Sequence, residues 1–182
     1  MKSVMQRARG VTLAELVIVI IVIGILAAVM LPLATSIRAY NDIQGNVVVL
    51  DKQRYATERL AREIRAVDFV PGVGFAFNNM GANSMAFTRT LFDAAGGAAQ
   101  TIVTVGNNGN AVTLAYAMPA IPAQVLTDEL NGVAGLTFLY LDRNGVATAN
   151  PNLVRMIQIT LNLLHNGNVY PQQTQIQLKN IN

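Results

Sequence analysis

Few side chains in this sequence of 182 residues have the types and spacing that chemistry requires. The single histidine, His165, precedes Asn166-Gly167, a dipeptide typical of a tight turn, so we expect an exposed loop residue rather than a base or a ligand. Asp142, Asn144 and Asn150 carry oxygen atoms that could hold Ca²⁺, but Asp and Asn cap turns more commonly than they bind metal. These residues therefore predict turns, and we expect no metal site.

No other residues in the sequence form a convincing pattern for acid–base or nucleophilic catalysis. Asp128 and Glu129 are adjacent, and adjacent side chains in a strand point to opposite faces, so they make a poor catalytic pair. No phosphate-binding loop, G-x-S-x-G motif or zinc-ligand spacing occurs. Because the chain has no cysteine, thiol catalysis, thiolate metal sites and disulfides are excluded. We therefore predict that the protein is not an enzyme and uses no cofactor.

One carboxylate, Glu15, has a different setting. It stands directly before residues 16–34, a run of nineteen uncharged and mostly apolar residues. As a helix, such a run is long enough to cross the roughly 30 Å hydrocarbon core of a bilayer. A carboxylate deep in that core costs roughly 2.5–3.5 kcal/mol, so we expect Glu15 to have a partner.

The residues before the apolar run predict its orientation. Lys2, Arg7 and Arg9 precede it with no acid among the first ten residues, which favours a cytoplasmic N-terminus and an extracytoplasmic remainder. Two alternatives are a secretory signal that is cut near Ala28 and a plain membrane anchor. The apolar region of a secretory signal usually spans about 7–15 residues, which is shorter than this run. A plain anchor leaves Glu15 unexplained.

Residues 9–16, Arg-Gly-Val-Thr-Leu-Ala-Glu-Leu, and the run that follows resemble the class III signal of type IV prepilins and type II secretion pseudopilins. The shared features are a short basic leader that ends in glycine, a Thr-Leu-x-Glu-Leu motif, and an apolar run containing Gly24 and Pro32. The resemblance implies that a membrane prepilin peptidase cuts between Gly10 and Val11 and methylates the new amino group of Val11. The apolar run would remain in the mature protein.

The resemblance also implies roles for residues beyond the cut. Cleavage creates a positive amino terminus, and in the family the terminus of a neighbouring subunit is the partner of the acid at the position of Glu15. Gly24 and Pro32 weaken helical continuity, and in related filaments this stretch melts and extends; a simple kink is the alternative. The implied partners are the prepilin peptidase and methyltransferase, other minor and major pilins or pseudopilins, the inner-membrane assembly platform and the lipid bilayer.

The charge balance excludes one class of partner. The formal net charge of +3 comes from Lys2, Arg7 and Arg9, and the remaining ten basic residues balance ten acidic residues. A chain without excess positive charge offers no electrostatic case for binding nucleic acid.

Helical periodicity continues beyond the apolar run. Apolar residues recur mostly three or four apart and predict one helix over about residues 11–67, which would span about 85 Å. Because that length far exceeds the thickness of the bilayer, we expect its outer half to pack on a globular head. The stripe consists of Ile37, Tyr40, Ile43, Val47, Leu50, Leu60, Ile64 and Val67.

The last turns of this predicted helix are rich in charge. Arg54 with Glu58, Glu58 with Arg62, and Arg59 with Glu63 stand four residues apart, which predicts ion pairs on a solvated face rather than a ligand-binding patch. The segment ERLAREIRAV, residues 58–67, also resembles the helix end of J-type pseudopilins and of W-type and O-type minor pilins.

The remainder of the chain predicts a β-rich head. Gly and Asn residues after Pro71 predict a loop over residues 71–81, and Pro119 and Pro122 predict a crossing loop or a strand edge. Three of the four Asn-Gly dipeptides are predicted to form hairpins and therefore antiparallel pairs: Asn108-Gly109, Asn144-Gly145 and Asn166-Gly167. The predicted strands cover residues 85–90, 101–105, 111–117, 124–127, 136–141, 154–164 and 174–178.

The predicted fold class is α+β and pilin-like, with a long N-terminal transmembrane helix packed on an antiparallel β-sheet head. Its expected parts are a cleaved leader (1–10), a transmembrane helix half (11–35), an amphipathic helix half (36–70) and an extracytoplasmic head (71–182). Residues 136–145, 154–163 and 175–180 resemble the C-terminal half of J-type pseudopilins and of minor pilus subunits.

These resemblances predict a minor pilin or pseudopilin that primes or caps filament assembly. The filament would be a type II secretion pseudopilus, a type IV pilus or an MSHA-like pilus. Before assembly it would be a single-pass protein of the bacterial inner membrane, with a periplasmic head. A major pilin or surface adhesin is the first alternative, and a membrane-anchored enzyme is the second.

Overall fold

A computed structural model of the protein describes residues 12–92 and 96–179. The chain divides into two compact units, Met1–Gln44 and Gly45–Asn182. One helix, α1 (Leu13–Arg65), contributes to both units and confirms the predicted long helix. Beyond Arg65, the N–H groups of Ala66 and Val67 donate to carbonyls three residues earlier, which tightens the last turn and helps satisfy its free acceptors.

The second unit also contains two principal antiparallel sheets and one short hairpin. The five-stranded sheet has the order β3-β4-β5-β6-β7, the three-stranded sheet has the order β10-β9-β8, and β1 pairs with β2. The strands are β1 (Phe69–Val70), β2 (Gly74–Phe75), β3 (Phe77–Met80), β4 (Met85–Phe92), β5 (Ala98–Asn108), β6 (Ala111–Tyr116), β7 (Ile121–Thr127), β8 (Leu136–Leu141), β9 (Met156–His165) and β10 (Asn168–Gln177), with a 3₁₀ turn at Val133–Gly135. This arrangement confirms the predicted α+β, pilin-like fold class.

Two of the three predicted Asn-Gly hairpins join named strands. Asn108-Gly109 lies at the turn between β5 and β6, and Asn166-Gly167 joins β9 to β10, where both residues have positive φ. Asn144-Gly145 also reverses the chain with antiparallel pairing, but the pairing is limited to a single bridge between Leu141 and Ala147. Pro122 lies in β7, an edge strand, as predicted, because an edge tolerates a missing N–H donor.

The predicted loop over residues 71–81 is wrong in part, because β2 and β3 lie within it. Asn78 and Asn79 belong to β3, at the edge of the five-stranded sheet, where their side chains are exposed. The hydroxyl of Thr88 donates to Asn78 at 3.0 Å, and the amide of Asn79 donates to the hydroxyl of Ser84 at 3.2 Å. An edge position with such partners accommodates residues that usually favour turns.

The core of the second unit forms where strand faces meet the second part of α1. From Ile157 to Leu163, the buried residues of β9 alternate with polar ones, as its sequence predicts. Both principal sheets and the helix supply members of one continuous cluster of buried apolar side chains. Central members are Leu60 and Ile64 from α1, Phe87 from β4, Val103 and Val105 from β5, Leu114 from β6, and Ile157, Ile159, Leu161 and Leu163 from β9.

The predicted apolar stripe of the helix is wrong over its first half. Ile37, Tyr40, Ile43, Val47 and Leu50 are exposed, whereas Leu60, Ile64 and Val67 are buried. The buried stripe instead runs through positions four, three, four and four residues apart, which places them on one face. These positions are Val49, Gln53, Ala56, Leu60 and Ile64.

Gln53 is the unexpected member of this stripe. Its Nε2 atom donates to the carbonyl oxygens of Leu161, at 2.9 Å, and Tyr170, at 2.8 Å. A buried amide is tolerated when it is hydrogen-bonded, so Gln53 ties the helix to the β9–β10 hairpin. A prediction based on the spacing of large apolar residues does not identify a buried glutamine.

Leu60→Ala should lower the free energy of unfolding of the second unit by about 2–5 kcal/mol, because the fully buried side chain would leave a cavity. Leu50→Ala, ten residues earlier on an exposed face, should change it by less than about 0.5 kcal/mol. Denaturant unfolding of the full chain in detergent micelles, followed by tyrosine fluorescence, measures both. Equal losses would contradict the observed helix face.

Candidate functional site

The first described turn of α1 places Glu15 in a helix cap. Glu15 N–H donates to the hydroxyl oxygen of Thr12 at 3.3 Å, and Leu16 N–H donates to the Thr12 carbonyl at 3.2 Å. Thr12 is therefore the N-cap residue and Glu15 stands three positions later, in the spacing of a capping box. The Thr-x-x-Glu pattern of residues 12–15 is the local signal for this cap, which was not among the predicted features. A carboxylate here also interacts favourably with the helix dipole.

The helix that follows this cap has no cover within the first unit. Large apolar side chains are exposed on all of its sides, including Ile18 at 61% and Met30 at 64%. A helix that is apolar all round needs lipid or other protein around it. Among the described residues, α1 alone has the length and apolar composition to cross a membrane.

Gly24 and Pro32, the predicted helix-breaking residues, both lie within continuous helix. Proline has no N–H to donate in the helix interior. The carbonyl of Pro32 accepts hydrogen bonds from the hydroxyls of Thr35, at 2.8 Å, and Ser36, at 2.9 Å. Weakening of this stretch within a filament stays a prediction. Gly10 and Val11, the predicted processing residues, lie outside the described residues.

Acidic and basic residues form an unexpected cluster in the second unit. Lys52 Nζ lies 2.6 Å from Asp128 Oδ1 and 3.7 Å from Glu129 Oε2, and His165 Nδ1 lies 3.2 Å from Glu129 Oε1. The prediction that Asp128 and Glu129 face opposite ways is wrong, because β7 ends at Thr127 and Glu129 has a φ of 60°. The carboxylates can therefore approach one lysine.

His165 also differs from its prediction, because it is the last residue of β9 and is partly buried rather than an exposed loop residue. Its Nδ1 atom faces Glu129, an arrangement that can orient a catalytic base. However, a Cβ atom added at Gly45 would lie only 3.0 Å from His165 Nε2. The nitrogen that would accept a proton is therefore packed against the helix backbone, which leaves little room for a substrate.

The charged face at the end of α1 is only partly solvated. Arg54 Nε donates to Glu58 at 2.8 Å on the exposed side, which confirms one predicted pair. Arg59 pairs with Glu63 at 3.0 Å, which confirms another. Glu63 itself is 1% exposed, however, and also pairs with Arg89 of β4. The prediction of a solvated face is wrong for Glu63, because this distant arginine allows its carboxylate to be buried.

The oxygen-rich segment after β8 forms a turn, as predicted. Asp142 Oδ1 accepts hydrogen bonds from the N–H groups of Asn144, at 2.8 Å, and Val146, at 2.9 Å, and Asn150 Oδ1 accepts one from Asn152 N–H at 3.0 Å. These are the side-chain bonds of Asx turns. Within residues 12–92 and 96–179, no group of three or more histidine or acidic residues could hold a metal ion.

A family comparison agrees with the geometry of the N-terminal helix. Residues 5–31 match a family model described as "Prokaryotic N-terminal methylation motif". No curated protein matches the chain. The match supports a class III signal of the type IV pilin kind and so a pilin- or pseudopilin-type protein.

This motif is a substrate signal for prepilin peptidase and implies partners in pilin assembly. It points to a structural subunit rather than an enzyme. Together with the one apolar helix, it is consistent with membrane anchoring. The exposed apolar helix and the glutamate in its cap are therefore the features that indicate a function.

The Lys52–Asp128 contact should make stability depend on pH. Their hydrogen bond lowers the pKa of the Asp128 carboxyl and raises the pKa of the Lys52 ammonium. A lowered carboxyl pKa gives stabilisation that is complete above the unfolded value of about 3.9 and is lost as pH falls through the folded value. Because the lysine pKa is raised, the same stabilisation is complete below the unfolded value of about 10.4 and is lost as pH rises through the folded value.

A double-mutant cycle with Lys52→Gln and Asp128→Asn should give a coupling free energy of up to about 1 kcal/mol at pH 7, because both side chains are partly exposed. The coupling should stay constant between about pH 5 and pH 9, decline as pH falls below about 3.9, and vanish by about pH 2, below both the unfolded and the folded pKa of Asp128. Denaturant unfolding at each pH measures it. A coupling that is undiminished at about pH 2 would contradict a charge interaction.

Proposed function

We propose that the protein is a minor pilin or pseudopilin, a structural subunit that primes or caps the assembly of a periplasmic or surface filament. The match of residues 5–31 to the methylation motif, on a helix whose apolar side chains have no cover in the first unit, carries this proposal. A lipid bilayer would cover the helix before assembly. The helices of neighbouring subunits would cover it afterwards.

In this proposal, prepilin peptidase removes residues 1–10 and methylates Val11. Residues 11–35 form the membrane half of the helix, residues 36–70 its outer half, and residues 71–182 the head. The N-terminus starts in the cytoplasm and the head lies in the periplasm. The resemblance of residues 58–67 and of the C-terminal strands to J-type pseudopilins and W- or O-type minor pilins supports a minor subunit over a major one.

Glu15 is proposed to pair with the methylated amino terminus of a neighbouring subunit. Cleavage supplies that positive charge only after processing, so the acid contributes to assembly and not to recognition by the peptidase. In a bundle of apolar helices, an unpaired carboxylate would be strongly unfavourable. The pair would therefore select one axial register between subunits.

Glu15→Gln tests this role without disturbing the helix cap, because the hydrogen bond to Thr12 comes from the backbone N–H of residue 15. We expect the variant to be processed normally and yet to be absent from filaments. The processed fraction is measured by mass spectrometry of membranes, and incorporation by immunoblotting of sheared or cross-linked filaments in a strain that lacks the native gene.

Thr12→Ala is the matched control, since it removes the cap and keeps the carboxylate. Loss of an N-cap costs about 1 kcal/mol of helix stability, which a membrane helix tolerates. Among processed molecules, this variant should enter filaments. Normal incorporation of Glu15→Gln would contradict the proposed pairing, and equal exclusion of both variants would assign the effect to the cap.

A further inference from the structure

A cavity of about 570 Å³ lies beside the last turns of α1, within the second unit. Glu63 is buried in its wall between two arginines. Arg59 Nη2 lies 3.0 Å from Glu63 Oε1, and Arg89 Nη1 contacts Glu63 Oε2. Arg59 Nη2 also donates to the Tyr116 hydroxyl oxygen at 2.7 Å. One buried carboxylate thus holds two guanidinium groups in place.

The positive charge of this cavity exceeds the negative charge. Arg62 lines it as well and has no ion pair among the residues that the structure describes, so three guanidinium groups face one carboxylate. Arg89 Nε is buried and has no hydrogen-bond partner within the same residues. Charge that is partly withdrawn from water and incompletely paired favours an added anion.

The position of Arg62 at the helix C-terminus explains some of the positive charge without any ligand. Basic residues in the last turn of a helix interact favourably with its dipole, and Arg62 and Arg65 both stand there. Arg65 does not line the cavity, however. The dipole also gives no reason for Arg89, which belongs to β4, to approach the same carboxylate.

Apolar side chains also line the cavity. Leu91, Met118 and Pro119 are shared with an adjoining cavity of about 680 Å³, whose lining is predominantly apolar. Met118 is 65% exposed. A ligand that occupied both cavities would therefore carry its anionic group next to apolar groups.

We propose that this cavity binds an acidic side chain carried by an apolar segment of a partner protein. The carboxylate would meet Arg62 and the outer faces of Arg59 and Arg89, while the flanking apolar residues would occupy the adjoining cavity. Arginine suits this role because its planar guanidinium can hold a carboxylate through two parallel hydrogen bonds. A nucleic acid would instead require an extended positive surface, which the balanced charge of residues 11–182 does not supply.

Glu63 is a positioning residue in this account. It holds Arg59 and Arg89 in place through ion pairs. Because its one negative charge does not balance the three arginines, the cavity keeps a net positive charge. The hydroxyl of Tyr116 accepts a hydrogen bond from Arg59 and keeps its own proton to donate, since burial and neighbouring Glu63 raise its pKa above the ordinary value of about 10. The proposal depends on the second unit and not on filament assembly.

The test uses two blocked peptides, acetyl-Gly-Leu-Glu-Leu-Gly-amide and its twin with Gln in place of Glu. They are titrated into the full chain, labelled with ¹⁵N-arginine, in an uncharged detergent. The Nε–H resonances of Arg59 and Arg62 should shift with the Glu peptide, and its affinity should exceed that of the Gln twin by about tenfold or more, equivalent to about 1.4 kcal/mol.

Arg62→Gln should weaken binding of the Glu peptide by about fivefold or more, as loss of a charge-assisted contact predicts, and should leave the Gln twin unaffected. Arg65→Gln removes the same charge from the same helical turn but outside the cavity, so it should change the affinity by less than about twofold. Both arginines are exposed, so neither variant should unfold. Equal affinities for the two peptides, or equal losses in the two variants, would overturn the proposal.

Discussion

The structure depends on one constraint: the first part of α1 exposes apolar side chains on every side. Ile18, Ile25 and Met30 are each more than half exposed within the first unit. Leaving such a side chain in water instead of burying it forgoes about 1.5–3 kcal/mol, so the run as a whole cannot remain in water. It must be covered by something outside the first unit. A bilayer and a bundle of like helices are the two covers that satisfy a helix of this kind.

The second part of α1 satisfies the same requirement within its own chain. From Val49 onward one face of the helix is buried in the core of the second unit, and three buried polar residues of this part have specific partners, among them Thr57, which donates to Gln172 at 3.3 Å. Gln53 donates to strand carbonyls, and Glu63 is held by Arg59 and Arg89. A buried polar group without its hydrogen-bond partner would lower the stability of the fold, so these contacts favour one position of the helix on the sheets. They also leave positive charge at its end.

Features encoded by neighbouring residues could be predicted from the sequence, and features that depend on distant partners could not. The apolar run, the alternation of β9 and the Asn166-Gly167 turn are local patterns. Glu63 was predicted to be solvated because Arg59 stands four residues away, whereas Arg89, which permits its burial, is 26 residues away in sequence. His165 and Glu129 are in contact although they are 36 residues apart in sequence, and no local pattern predicts this contact.

The most direct measurement is the intact mass and N-terminal peptide of the protein extracted from membranes, from cells with and without prepilin peptidase. The account predicts loss of residues 1–10 and one added methyl group on Val11, only when the peptidase is present. An unprocessed Met1 terminus in both strains, or a cut near Ala28, would contradict it, because the uncovered helix would then belong to an ordinary anchor or to a removed secretory signal.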